Sequence, residues 1–213
     1  MIEIIKVESK DQEREFVMFP FSLYKGCDYW VPPIISEELE SMDKEKNPVF
    51  ENAEAEFYIA KKDGVTVGRI AAMVNWVEIE EQKKNKLRFG WYDTIDDLEV
   101  SKKLLESVIE FGKKRKLEFV DGPVGFSNMD KAGLLIEGYE ELNTMITWYH
   151  YPYQKEHLKK LGFSKLAEWV EYKIKIFSAE DAPEKVKKFS KIIQQRYELK
   201  VLNFKSRKEI IPY

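Results

Sequence analysis

Residues 56–74 read Glu56-Phe57-Tyr58-Ile59-Ala60, then Lys61-Lys62-Asp63-Gly64, then Val65-Thr66-Val67-Gly68-Arg69-Ile70-Ala71-Ala72-Met73-Val74. Two β-rich runs flank an Asp-Gly pair. Such a pair supplies the positive φ that a tight hairpin turn needs, so the stretch predicts an antiparallel hairpin. The second arm is apolar almost without interruption. That pattern predicts a central strand with both faces covered, not an edge strand with one face in water.

Outward from the hairpin, strands and helices alternate. Towards the N-terminus, 2–7 (IEIIKV) predicts a strand and 11–25 a helix entered from Ser9 or Asp11, with Phe16, Phe19 and Leu23 on one face and Pro20 disturbing it. Trp30-Val31-Pro32-Pro33 is extended, because a residue before proline avoids the α region. A helix and loop follow over 34–50. Towards the C-terminus, 87–92 (LRFGWY) predicts a strand. Residues 97–116 predict the best helix, with an apolar stripe of Leu98, Leu104, Leu105, Val108 and Ile109. Asp96-x-x-Glu99 reads as its cap, and Lys113, Lys114, Arg115 and Lys116 suit its C-terminal dipole. A short strand, 118–120, stops at Gly122-Pro123. The strand–helix–strand order makes 87–92 and 118–120 a parallel pair. Residues 124–147 are irregular and punctuated by Gly125, Gly133 and Gly138. A helix over 151–161 closes at Gly162. Residues 167–177 alternate as a half-exposed strand, 183–198 form an amphipathic helix, and 199–204 form a last strand. The fold class is α/β, a mixed and mostly antiparallel sheet flanked by helices.

Composition narrows the function classes. The 213 residues carry 35 basic and 38 acidic side chains, with 13 Phe, 11 Tyr and 5 Trp. Enough apolar area is present to offset chain entropy, so the reading is a folded, soluble, cytoplasmic protein with no membrane partner. One cysteine, Cys27, and two histidines, His150 and His157, exclude a disulfide framework and a Cys- or His-rich metal site, and no metal is expected. A net charge of −3 argues against a nucleic-acid partner. Residues 155–213 hold 15 basic and 8 acidic side chains, read as lysines on solvated helix faces.

The hairpin 57–74, the strand and long helix of 88–116, and QKEHLKKLGF at 154–163 together resemble the GNAT acyl-CoA N-acyltransferase superfamily over residues 1–177. WVPP (30–33), NPVFENAEAEFYIA (47–60) and DGPVGFSNMDKAGLLIEGYE (121–140) resemble a longer branch of that superfamily with a second, related domain. The resemblance implies a GNAT-like domain over 1–180. It makes 181–213 a helix and strand leading towards a second domain, which would begin near Ile210-Ile211-Pro212-Tyr213. It implies acyl transfer from acetyl-CoA or another acyl-CoA to a small-molecule or peptide amine. The family holds the CoA pyrophosphate at a helix N-terminus under Arg/Gln-x-x-Gly-x-Gly/Ala, where amides and the helix dipole favour an anion. Here the pattern falls on Asp96, Glu99, Val100 and Ser101. Asp96 has the wrong sign, Glu99 is not glycine, and Asp97 adds a third carboxylate, so the loop reads as degenerate. The family's tyrosine acid falls by count on Leu158, with His157 adjacent and Tyr153 a turn earlier as substitutes. A base is expected at Asp93. Each of these three has an alternative reading in packing, solvation or turn capping. The alternative to an enzyme is a non-catalytic GNAT-like domain, structural, dimerising or ligand-sensing, and a homodimer is compatible with either.

Overall fold

The computed structural model describes residues 1–127, 129–144, 146–174, 178, 180–206 and 209. The chain divides into two units, Met1–Trp169 and Val170–Tyr213.

The first unit is built on five strands in sequence order: β1 (Ile2–Lys6), β2 (Ala53–Lys62), β3 (Val65–Asn75), β4 (Lys86–Thr94) and β5 (Phe119–Asp121). β1 to β4 pair antiparallel, and β4 pairs with β5 in parallel. The hairpin forms where Asp63 and Gly64 both take positive φ, 53° and 81°. Val67 to Val74 are buried without a break, so β3 is covered on both faces. One face packs on α4 (Leu98–Lys114), which buries Val100, Leu104, Leu105, Val108 and Phe111. Leu98, expected in that stripe, is 37% exposed because it lies in the first turn, beyond the sheet. The other face packs on α1 (Lys10–Leu23) and α2 (Ile35–Met42) through Phe16, Val17, Met42 and Phe57. Ser9 caps α1, and Pro20 sits inside the helix without ending it.

A short helix, α3 (Trp76–Glu80), follows β3 directly, entered through the Asn75 side chain. α5 (Pro152–Lys160) ends at Gly162 with φ 88°. Two buried ion pairs cross the sheet faces: Arg69 with Asp93, and Arg88 with Glu78.

Three local expectations are corrected. Asp97, not Asp96, caps α4, its carboxylate accepting from the Glu99 amide at 3.0 Å. The strand expected at 167–177 is absent over its described residues, 167–174 (175–177 lie outside them). The strand expected at 199–204 is absent as well. Alternation is a local pattern, but a strand exists only where a neighbouring edge completes its hydrogen bonds. Trp169, Val170, Tyr172 and Ile174 are each at least 66% exposed.

In the second unit α6 (Glu184–Arg196) carries Val186, Phe189, Ile192 and Ile193 about half exposed. Residues 210–213, where a further domain was expected to begin, lie outside the described residues. Among the described residues no helix is long and apolar enough to cross a membrane. None of their His, Cys, Asp and Glu side chains form a group of three able to hold a metal ion.

Candidate functional site

The site is positioned by an irregularity in β4. Arg69 faces Asp93 and Ala71 faces Gly90, so one residue of β3, Ile70, opposes two of β4, Trp91 and Tyr92. This is a β-bulge, with Trp91 at φ 48°. It breaks the alternation: Phe89 packs on the α4 face, while Trp91, two residues on, packs on the α1–α2 face with Phe57 and Phe126. Gly90 also meets that face, where an added Cβ would lie 2.7 Å from the Val124 carbonyl and 3.2 Å from Trp148. β5 pairs with β4 only as far as Arg88. Beyond Arg88, β4 bonds to non-strand groups instead. The Val124 amide donates to the Phe89 carbonyl at 2.8 Å, and Gln154 Nε2 donates to the Tyr92 carbonyl at 3.0 Å.

On the α4 face a line of polar groups starts at Tyr92. Its hydroxyl donates to Ser101 Oγ at 2.9 Å, and Ser101 Oγ lies 2.8 Å from His157 Nδ1. His157 Nε2 lies 3.2 Å from Asp96 Oδ1. Ser101 is fully buried and His157 is 5% exposed, while the Asp96 side chain is 70% exposed. The line therefore runs from the core to solvent. Burial pushes the Tyr92 phenol up to about 12. Tyr153 stands beside His157, ring centroids 5.4 Å apart, and its hydroxyl donates to the Thr94 carbonyl at 2.6 Å. Burial first, then the Asp96 charge, raises the Tyr153 pKa, so this phenol keeps its proton.

Asp93 lies on the opposite face from this line. Its Oδ2 accepts from Arg69 Nε at 2.7 Å and its Oδ1 from the Tyr24 hydroxyl at 2.7 Å. Arg69 also donates to the Phe16 carbonyl. The carboxylate thus ties α1, β3 and β4 together. His150 is buried nearby, and burial lowers its pKa to about 4.

The structure brings Asp96, Ser101 and His157 into one line with Tyr153 beside it. Asp93 stands apart. Glu99 points to solvent, half exposed, and Val100 is packed in the core. Tyr24, Gln154, Tyr92 and Trp91 were not foreseen. The one sequence signal for them was Arg69, a charge inside an apolar run, which had to find a buried carboxylate.

The α4 turn can be tested against the pyrophosphate that the resemblance implies. The Glu99 amide is taken by the Asp97 carboxylate, and the Val100 and Ser101 amides by the Asp97 carbonyl, at 3.1 and 3.3 Å. Asp97 is further held by Lys62 at 3.0 Å. Asp96, Asp97 and Glu99 surround the turn with negative charge. These residues do not fit a pyrophosphate anion.

No family model matches the chain. Protein YghO of Escherichia coli is 30% identical over 167 residues, 76% of this chain and 43% of YghO. The bacterial ceramide synthase of Caulobacter vibrioides is 23% identical over 174 residues, 81% of this chain and 45% of that protein. The chain thus spans less than half the length of these curated relatives. Among solved structures, a transcriptional regulator from Bacillus halodurans superposes with a TM-score of 0.50 at 13% identity, covering 82% of this chain and all of that one. With its mixed, mostly antiparallel sheet, its central hairpin and its parallel β4–β5 pair crossed by α4, the chain has a GNAT-like fold and is a homologue of YghO and of the bacterial ceramide synthase.

Proposed function

We propose that this protein transfers an acyl group from a thioester, an acyl-CoA such as acetyl-CoA, to an amine. The observation that carries the reading is the β4 bulge, where one residue, Trp91, faces the α1–α2 side and the next, Tyr92, heads a hydrogen-bonded line to the surface. The ceramide synthase homologue supports it, since a ceramide is an amide and its synthesis is an N-acylation. In this reading Tyr153 is the candidate acid, because it keeps its proton, and His157, held by Asp96 and Ser101, is the alternative candidate for that role. Asp93 positions α1 against β4; both its oxygens already accept hydrogen bonds. The donor's pyrophosphate is held elsewhere than at the α4 turn.

A second reading has its own support. The occupied amides of that turn favour a non-catalytic GNAT-like half, with residues beyond 180 leading to a second domain that does the chemistry. The two readings part in one experiment. The protein is incubated with acetyl-CoA, longer acyl-CoAs and a panel of amines, and products are read by mass spectrometry. Acylated amine is expected, its formation slowed about 10²–10⁴-fold by Tyr153→Phe, the range of general acid catalysis. Absence of product, together with no rise in melting temperature at millimolar acyl-CoA, leaves only the second reading.

A further inference from the structure

A cavity of about 270 Å³ opens on the α1–α2 face of the sheet, outside the Tyr92–Asp96 line. It is just under the ~300 Å³ at which ligand pockets begin. Its apolar walls are Val49, Trp91, Phe126 and Trp148, with the rings of Phe126 and Trp148 centred 6.0 and 6.1 Å from that of Trp91. Its charged groups are Glu38, Asp130 and Lys131, a net of −1.

The two carboxylates are not equivalent. Asp130 Oδ2 accepts from the Ser127 amide at 2.8 Å and closes its own loop. Glu38 reaches in from α2, and its Oε2 accepts from Trp91 Nε1 at 2.7 Å. That bond fixes the side chain and engages only one oxygen. A carboxylate held in place among aromatic faces suits a cation. The free oxygen accepts N–H bonds, and the ring faces attract positive charge. An anion meets repulsion from both carboxylates, and a neutral ligand gains only the apolar walls.

We propose that this cavity binds a small organic amine with an apolar or aromatic body, its ammonium on Glu38 and its body packed against the wall that Trp91 and Trp148 form together. The inference rests on the acyl-transfer reading in one respect: the bound amine is then the acyl acceptor, held beside the bulge.

The test is a fluorescence titration of the full chain, since two tryptophans line the cavity. The probe is 2-phenylethylamine, with 2-phenylethanol as its uncharged isostere. The amine is expected to bind saturably and at least about tenfold more tightly than the alcohol, the equivalent of ~1.4 kcal/mol. Glu38→Gln still presents an oxygen to Trp91 and should abolish that preference. Equal binding of amine and alcohol, binding of neither, or an undiminished preference in Glu38→Gln overturns the proposal. The wild-type comparison alone decides the matter if the variant does not fold. No acyl donor enters this assay. Amine binding without acylation would sink the proposed reaction and spare the site. Acylation with kinetics indifferent to Glu38→Gln would do the reverse.

Discussion

Arg69→Met withdraws a cation from beneath α1 and leaves Asp93 behind at 5% exposure. Methionine fills most of the arginine stem's space, so the perturbation is chiefly electrostatic. The carboxylate keeps the Tyr24 hydroxyl but loses its counter-charge, and Phe16 loses a hydrogen bond to its carbonyl. Removing one partner of a buried pair costs about 3–5 kcal/mol, because the other charge stays buried and uncompensated. For a unit of this size each kcal/mol moves the melting temperature by about 2–4 °C, so a fall of roughly 6–20 °C is expected. Urea unfolding of the wild type, Arg69→Met, Asp93→Val and the double variant gives the coupling. Removing both charges should recover at least about 2 kcal/mol of the single variant's loss, since Tyr24 retains the Tyr149 carbonyl at 3.1 Å. A loss below about 1 kcal/mol in Arg69→Met, or a double variant no more stable than Arg69→Met, refutes the reasoning.

Two further outcomes follow from the caps and the buried imidazole. Asp97→Ala should cost about 1 kcal/mol by uncapping α4, read from the urea midpoint at pH 7. Lys62 holds the Asp97 carboxyl below its ordinary value, so its contribution is present above about pH 4 and lost as pH falls through its lowered pKa; the gap between wild type and Asp97→Ala should narrow at pH 3. His150 titrates near 4 when folded and near 6.5 when unfolded, so the unfolded chain takes up the proton first. Stability should therefore decline as pH falls from about 6.5 towards 4, by ~3 kcal/mol, and His150→Gln should flatten that decline. An NMR titration placing the His150 midpoint at 6 or above would contradict it.

What the sequence discloses here is local. The hairpin was legible because its turn is decided by two adjacent residues, Asp63 and Gly64. The α4 stripe and the parallel crossover were legible because period and handedness leave few alternatives. The cap was misplaced by one residue because Asp96 and Asp97 compete within one turn, and the backbone settles the contest. α3 was missed because five residues hold too little periodicity. Residues 167–174 alternate like a strand, yet form none, because alternation is a property of the sequence and a strand is a property of the pairing. The bulge had no sequence signature, since an extra residue in β4 is defined only against β3. Tyr24, Glu38 and Trp148 lie far from β4 along the chain, so only the folded sheet collects them.

The bulge also limits how this protein can change length over evolutionary time. Losing Tyr92 would restore strict alternation, set Trp91 opposite Ile70 and turn the indole towards α4, while emptying the floor between α2 and residues 125–148. A length change in the loop at 81–85 has no such effect, because it shifts no side chain between faces. Descendants of this sequence should therefore align without gaps from Leu87 to Thr94, and differ freely in length just before it.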